Sequence, residues 1–507
     1  MKLYKLGLPL LALVLGLSSC KKEYLDRTPT AQAAMEDVFD NISGAKAAVN
    51  GIHRMMYEFG GDQHNEFGQA SINLMFDLMG EDLIPNGQGH FNASYNYNAA
   101  RGPAATGAYA FTFYFRMINN ANIIIQNIDG VPGEQAEKDN IKAQALFYRA
   151  YAYYNLANMY GYSYAMTGIE VWGGLPSVAT PCVPLYTEPT QVGNPRSTVG
   201  EVYAQITQDI DAAIALFDGS GIARGDKSQI DGSVARGLGA RVALVKQDWA
   251  KAATLANEAR QGYSYMNGTQ LLAGFNDVNS SEWMWGSAIN TEQATSYASF
   301  ISFMDSDAEG YAYVHCQMVI QNFLLNDNID STDIRKLQFT TRNQAAQPDY
   351  PYVQYEQRKF KVRVLGTWLA DYPLMRAAEM ALIEAEALAH QNNLGGAQTV
   401  LEEFVHTRNP EFTADISSSD ALIKQIWLQR RIELWGEGFR YIDLKRQAAN
   451  FARVTVPEND KGLHRIGNFN SQVASGVRDL QPSDNRWLFR FPSSEILRNQ
   501  GGIQQNP

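Results

Sequence analysis

The sequence predicts a mainly α-helical protein, built on tetratricopeptide-like helical hairpins with long loops and short strands inserted between them. Residues 141–159 carry apolar side chains at steps of three and four, which is typical of a helix. Ser197 or Thr198 followed by Glu201 fits a capping box at the start of the next helix. Residues 233–263 and 372–409 each have the pattern of two helices around a short turn, near Gln247 and Asn392.

The two predicted hairpins share a spacing of small residues. Positions separated by 12 and then 7 residues correspond between them: Ala240, Ala252 and Ala259 in the first, Ala385, Ala397 and Phe404 in the second. Tetratricopeptide repeats place small residues at these offsets so that paired helices approach closely. Phe404 departs from that pattern, and generic antiparallel helix pairs remain the alternative interpretation.

Long aperiodic tracts separate these helices. Residues 59–107 are rich in Gly, Asn and aromatic residues, and residues 161–195 are interrupted by prolines. Residues 262–370 mix polar loops with strand-like runs, EWMWGSAI and KFKVRVLGTW. Long loops in a compact protein are either functional or disordered, and the aromatic content of these favours order.

Composition excludes several functional classes. The 507 residues are 45% hydrophobic and 19% charged, which is typical of a globular protein, and the net charge of −11 argues against nucleic-acid binding. The chain lacks GxSxG, HExxH, P-loop and complete GxGxxG motifs, so no motif of these types indicates an enzyme, and we predict no metal site and no cofactor. A structural calcium ion at Asp305 to Gly310 (DSDAEG) stays open, although Cys316 replaces the expected twelfth-position glutamate.

The N-terminus carries an export signal. Lys2 and Lys5 precede the apolar stretch from Leu6 to Leu17, which is too short to span a bilayer. The following LSSC resembles a bacterial lipobox, so Cys20 is the predicted lipidation site; an ordinary signal with an incidental cysteine is the alternative. The other two cysteines, Cys182 and Cys316, fit buried free thiols better than a disulfide.

Aromatic residues in the loops are the candidate ligand contacts. Flat rings cover the apolar faces of sugars, while Asp and Asn side chains bind their hydroxyl groups. The predicted ligand-binding residues are Asp82, Asn86, Phe91, Tyr95, Tyr97, Trp283, Trp285, Tyr311 and Tyr313. A buried sheet face is the alternative for the two tryptophans. The carboxylates Asp77, Glu81 and Asp82 would also suit a glycosidase superficially.

The segment from 424 to 447 has an ordered charge pattern. Glu433 and Glu437 are one helical turn apart, and Arg430 and Arg440 lie three residues outside them, which permits i,i+3 ion pairs. We interpret this pattern as a buried polar network with a structural role.

This segment resembles the SusD/RagB family of Bacteroidetes outer-membrane lipoproteins. The family pattern RR-x-EL-x-x-EG-x-R-x-x-DL-x-R is matched from Arg430 to Arg446, and the tail RFPSSEILRNQGGIQQNP resembles the family's ending. Further similar segments are the lipobox with Tyr24-Leu25-Asp26, INNANIII at 118–125 and GGLPSV at 173–178.

The resemblance implies a helical fold whose variable loops form a glycan-binding surface. It implies a signal peptide at 1–19 and two halves, 20–230 and 231–507, packed as one globular unit. It also implies a lipid-anchored, non-enzymatic protein of the outer membrane that captures oligosaccharide or polysaccharide for a SusC-like TonB-dependent transporter. The alternatives are a peptide-binding relative, an anchored glycoside hydrolase and a purely structural lipoprotein.

Overall fold

The predicted mainly α-helical fold is confirmed in the computed structural model. The structure describes residues 38–61, 64–85, 90–97, 105–166, 169–294, 296–312, 318–321, 327–339, 356–453, 455–456, 464–465, 479–499 and 501–507. The predicted lipidation site Cys20 lies outside these residues.

Helices form the scaffold, and short strands pair between distant loops. The helices are α1 Ile42–Met55, α2 Gln69–Leu78, α3 Asn92–Tyr95, α4 Ala105–Asn127, α5 Gln135–Tyr160, α6 Val199–Ser220, α7 Gly232–Lys246, α8 Trp249–Ala259, α9 Gly268–Leu271, α10 Phe300–Met304, α11 Ala377–His390, α12 Leu394–Val405, α13 Ser419–Glu433, α14 Arg440–Arg446 and α15 Ser493–Arg498. The strands are β1 Leu83–Pro85, β2 Trp283–Ser287, β3 Met318–Gln321, β4 Tyr372–Arg376, β5 Phe451–Ala452, β6 Thr455–Val456, β7 His464–Arg465 and β8 Asp479–Leu480. They pair as β1–β3, β2–β4, β5–β8 and β6–β7.

Helix α5 lies at the centre of the protein and packs against α4 and α6. Its residues from Ala145 to Tyr160 are all buried, so the helix is surrounded by protein around its whole circumference in this part. Helix α6 begins with the predicted capping box: the Thr198 hydroxyl accepts a bond from Glu201 N, and the Glu201 carboxylate accepts one from Thr198 N.

Both predicted helical hairpins are present. Helices α7 and α8 pack together around Gln247, which adopts a left-handed conformation with φ of 57°, and α11 and α12 pack around Asn392 with φ of 60°. Helix α8 also packs against α11, so the two hairpins stack on each other. All six residues of the shared spacing are fully buried: Ala240, Ala252, Ala259, Ala385, Ala397 and Phe404.

The strand pair β2–β4 was predicted only in part. EWMWGSAI does form β2, which pairs antiparallel with β4, and every residue of both strands is buried. The strand predicted at 359–368 is absent, because this segment folds back at a turn in which Arg363 N donates to Leu369 O. The helix predicted to begin at Tyr372 begins at Ala377, since the preceding five residues pair with β2.

Eight charged side chains form a buried ion cluster beside β4. None of them is more than 5% exposed, and the four positive and four negative members balance: Arg335, Lys359, Arg376 and Arg408 with Glu282, Asp333, Glu433 and Glu437. Asp333 and Arg335 pair with each other within this cluster, at 2.6 Å. The cluster joins β2, β4 and the end of α13, which are distant in sequence.

The predicted i,i+3 ion pairs around Glu433 do not form, although the polar network does. Helix α13 ends at Glu433, and Gly436 and Gly438 adopt left-handed conformations, so helical spacing no longer applies after that residue. Arg430 pairs instead with Asp443 at 2.7 Å, and Arg440 pairs with Glu81. The charged side chains of the motif therefore connect α13 to α14, and α14 to the segment that follows α2, instead of pairing within one helix.

The C-terminal tail is attached to the body by Arg196. Its guanidinium lies between the rings of Trp172 and Phe491 and donates to Gln504 O and the Asn506 side chain, at 3.0 and 2.7 Å. The tail residues that suggested the family therefore have a packing role.

Candidate functional site

Four aromatic side chains from separate loops form an aromatic patch, which we define as His64, His90, Tyr297 and Tyr311. The imidazoles of His64 and His90 stack in parallel with centroids 4.5 Å apart, and Tyr311 lies 5.2 Å from His90 and 5.5 Å from Tyr297. Tyr297 is 46% exposed and His90 is also exposed, so the patch presents ring surface to solvent.

A buried aromatic layer supports the patch. Tyr311 stacks on Phe303 with centroids 4.4 Å apart, and Phe303 in turn packs against Phe67 and Phe91. The Tyr311 hydroxyl also forms a hydrogen bond with His64 Nδ1. Rings that are fixed in this way bind a flat ligand face with little loss of side-chain entropy.

An open cleft lies beside the patch, with an empty volume of about 580 Å³ that includes open solvent. Aromatic rings form much of its wall: Tyr57, Phe59, Phe67, Phe300, Trp368 and Tyr372. Ser296 and Ser299, on either side of Tyr297 in sequence, also line the cleft.

The carboxylate in the cleft wall is already bound. Asp371 accepts from Ile289 N at 2.7 Å and Val278 N at 2.8 Å, and it pairs with Arg363 at 2.6 Å. Burial raises the pKa of Asp371 above its ordinary value, although these donors act in the opposite direction. It is the one carboxylate among the described residues that line the cleft, whereas most glycosidases use two.

The structure corrects the prediction for both tryptophans of β2. Trp283 and Trp285 are fully buried, so neither ring offers a face to a ligand. Trp285 packs edge-on against Phe147 and Tyr151 of α5, and its indole N–H donates to Ser228 O at 3.2 Å. Both are core residues because β2 is covered on both faces.

Three aromatic residues of the 90–97 loop are also core residues and not surface contacts. Phe91, Tyr95 and Tyr97 are at most 3% exposed. The guanidinium of Arg453 lies 3.8 Å from the Tyr95 ring centre, and the Tyr97 hydroxyl donates to Met79 O at 2.6 Å. The loop is ordered because its rings face inward, which its Gly- and Asn-rich sequence did not indicate.

The acidic candidates belong to the C-terminal motif. Asp82 is 4% exposed, and Arg431 Nε donates to its Oδ2 at 2.9 Å, so we correct its assignment as a ligand contact. Asp77 accepts from Gly438 N and Arg440 N, at 2.8 and 3.2 Å, and burial raises its pKa to about 7. With Glu81 also paired, these carboxylates hold the motif and do not form a catalytic pair.

Tyr311 is the predicted contact that the structure places in the patch, although it is largely buried there. Asn86 and Tyr313 lie outside the described residues. The loops that carry His90 and Tyr311 meet at the patch, since these two rings are in contact.

Sequence reasoning missed His64, His90, Tyr297 and Trp368. No sequence signal separated Tyr297, in the TSYAS segment, from Tyr95 and Tyr97, which stand among similar small polar residues and are buried. His90 lies within the Gly- and Asn-rich GQGHFN segment of the same predicted loop, but Phe91, Tyr95 and Tyr97 were chosen there as the aromatic candidates.

Among the described residues, no helix is long and apolar enough to cross a bilayer, and no cluster of three or more His, Cys, Asp or Glu is placed to hold a metal ion. Within the same residues, Cys182 is a buried free thiol.

The calcium ion left open by the sequence would involve the Asp305 carboxylate. In the structure this carboxylate accepts hydrogen bonds from Asp307 N and Val362 N, at 3.0 and 2.8 Å.

The fold and the site together are those of a helical-repeat protein whose loops form an aromatic surface. Residues 23–224 match a family described as "Starch-binding associating with outer membrane", and residues 245–507 match the "SusD family". The chain belongs to the SusD family, as its motifs indicated.

Individual relatives agree with this assignment. SusD-like protein P25 of Formosa agariphila is 28% identical over 158 residues, which is 29% of each chain. SusD-like protein P2 of the same organism is 22% identical across 100% of both chains. The solved structure of a SusD-like carbohydrate binding protein from Bacteroides vulgatus is 28% identical, covers 92% of this chain and 98% of its own, and superposes with a TM-score of 0.78.

Proposed function

We propose that this protein captures oligosaccharide or polysaccharide at the cell surface through the aromatic patch and passes it to a SusC-like TonB-dependent transporter. Membership of the SusD family supports carbohydrate binding, and so does the name of the relative from Bacteroides vulgatus. The protein acts by binding and delivery, without cleaving the glycan.

The exposed ring of Tyr297 is the observation that carries this proposal. Tyr297 lies next to Tyr311 and the stacked pair of His64 and His90, and its sequence neighbours Ser296 and Ser299 line the cleft. A pyranose ring has an apolar C–H face that stacks on such a ring, while its hydroxyl groups stay in contact with water or with nearby polar groups.

The export and anchoring part of the proposal rests on the N-terminal sequence. Cleavage before Cys20 and lipidation of its thiol would tether the protein to the outer membrane, facing the exterior. The family description "associating with outer membrane" supports this location. A tether at one end leaves the body free to move against a transporter.

The test is glycan binding by two variants of the same residue. Tyr297→Ala should weaken binding to the best polysaccharide in a panel by about 1–3 kcal/mol, because it removes the stacking face. Tyr297→Phe keeps the ring and should bind within about twofold of the unchanged protein. Isothermal titration calorimetry or affinity gels measure both.

Two outcomes would contradict the proposal. Equal binding by Tyr297→Ala and the unchanged protein would remove the aromatic patch as the ligand surface. Release of new reducing ends from the bound polysaccharide would favour the anchored glycoside hydrolase instead. Leu497→Ala, at an 85% exposed position on α15, controls for general effects of truncating a surface side chain.

A further inference from the structure

The four rings of the aromatic patch differ in their exposure. Tyr297 is 46% exposed and His90 is also exposed, whereas Tyr311 is 9% exposed and His64 is half-buried. Tyr311 and His64 each contact the other three members of the patch. The two less exposed rings therefore form the support against which the two exposed rings pack.

Tyr311 is fixed to α10 through its backbone and its ring. Tyr311 N donates to Ser302 Oγ at 3.0 Å, and Ala312 N donates to Ser302 O at 2.8 Å. The Tyr311 ring stacks on Phe303 with centroids 4.4 Å apart. A Cβ atom at Gly310 would lie 2.9 Å from Ser302 Cβ, so a glycine at this position permits the close approach to α10. The Tyr311 ring is therefore held in one place by the neighbouring helix.

His64 reaches the patch from a separate loop, which runs from Phe59 to Phe67 and whose two ends pair antiparallel. The hydrogen bond between the Tyr311 hydroxyl and His64 Nδ1 joins this loop to the segment that follows α10, across 247 residues of sequence. Ring stacking alone lets two planar rings slide past each other, whereas a hydrogen bond is directional. The bond thus fixes the His64 imidazole, and with it the position of His90, which stacks on His64.

We propose that the hydrogen bond between Tyr311 and His64 positions the exposed rings of the patch for the glycan, so that Tyr311 is a positioning residue and not a ligand contact. This inference rests on the glycan-binding function proposed above. The Tyr311 ring is covered by Phe303, and its hydroxyl is bonded to His64. Rings that are held before the glycan arrives lose less conformational freedom on binding, and the affinity is higher for that reason.

Two variants remove the same hydrogen bond from its opposite ends. Tyr311→Phe keeps the stack on Phe303 and removes the hydroxyl, and His64→Phe keeps an aromatic ring against His90 and removes Nδ1. Each should weaken glycan binding by about threefold to tenfold, the usual effect of one hydrogen bond, with Tm close to that of the unchanged protein. Amylopectin, laminarin, xylan and mannan are the probes, in affinity gels and then calorimetry with the polysaccharide whose retention depends on Tyr297.

The double variant separates positioning from direct contact. With both Tyr311→Phe and His64→Phe, the protein should bind no more weakly than either single variant, because the shared hydrogen bond is already absent in each. A hydroxyl that touched the glycan would behave differently, since Tyr311→Phe would weaken binding a second time in the His64→Phe background. Additive losses would therefore overturn the positioning role.

The imidazole ¹⁵N resonances of the unliganded protein report on the hydrogen bond itself. Tyr311→Phe should shift the Nδ1 resonance of His64, because the hydrogen bond at one ring nitrogen sets the protonation of the ring. His64→Phe assigns that resonance by removing it. The matched control is Tyr186→Phe, which removes a hydroxyl that accepts from Asn194 N at 3.0 Å, outside the patch and the cleft. It should change neither the glycan affinity nor the His64 resonance.

The outcomes distinguish this inference from the function on which it rests. Unchanged affinity in Tyr311→Phe, together with retention that depends on Tyr297, would overturn the inference and leave the glycan-binding function standing. A lower Tm with unchanged affinity would give Tyr311 a structural role only, and an unshifted His64 resonance would remove the proposed hydrogen bond. Retention of none of the four polysaccharides by the unchanged protein would overturn the glycan-binding function and this inference together.

Discussion

Glu433 holds the buried ion cluster together through three guanidinium groups. Its Oε1 accepts from Arg376 Nη1 at 2.9 Å and Arg408 Nη2 at 3.1 Å, and its Oε2 accepts from Arg408 Nε at 3.2 Å and Arg335 Nη1 at 3.3 Å. These neighbouring charges hold the pKa of Glu433 well below its ordinary value, despite burial that acts in the opposite direction. The carboxylate is therefore charged in the folded protein at neutral pH.

Glu433→Gln keeps the shape of this side chain and removes its charge. Four buried cations would then face three carboxylates, and an uncompensated buried charge costs about 3–5 kcal/mol. Unfolding entropy of about 2.1 cal/mol/K per residue gives roughly 1 kcal/mol/K for a chain of this length, so we expect Tm to fall by about 3–5 °C. The loss is small in degrees because the protein is large.

Differential scanning calorimetry at pH 7 measures this shift. The matched control is Glu258→Gln, which makes the same change in an exposed pair with Arg236 and should cost no more than about 1 kcal/mol. A Tm loss for Glu433→Gln no larger than that of the control would refute the reasoning. Double replacement of Glu433 and Arg408 by apolar residues should cost less than the sum of the single replacements.

Three further variants probe the core, pH dependence and the tail. Trp285→Ala should cost about 3–5 kcal/mol in urea unfolding and leave glycan affinity unchanged, because its ring is fully buried. Burial lowers the pKa of Lys445 to about 7 in the folded protein. Between pH 7 and 10 the unfolded chain therefore binds more protons than the folded protein, and the free energy of unfolding rises with pH. Lys445→Met should remove up to about 1.4 kcal/mol of that rise per pH unit, measured by urea unfolding at several pH values. Arg196→Ala should speed amide hydrogen exchange at residues 501–507, which it now holds; unchanged exchange would contradict the attachment.

The helical scaffold was predictable because its determinants are local. The capping box of α6, the turns at Gln247 and Asn392 and the small residues of both hairpins depend on residues close in sequence. The strand predicted at 359–368 failed for the opposite reason: strand pairing depends on a partner, and β2 pairs with 372–376 instead. Backbone hydrogen bonds to a distant segment leave no periodic signal in the segment itself.

The sequence by itself determined the family and the helical fold. The tertiary structure decided which rings face water. Trp283, Trp285 and Tyr97 are as aromatic as Tyr297, yet all three are buried, Trp285 against α5 and Tyr97 against the residue that follows α2. Only packing between distant elements separates a core ring from a surface ring. The partners of Glu433 were decided in the same way, because a charged side chain that cannot reach water pairs with whichever opposite charges the fold places beside it.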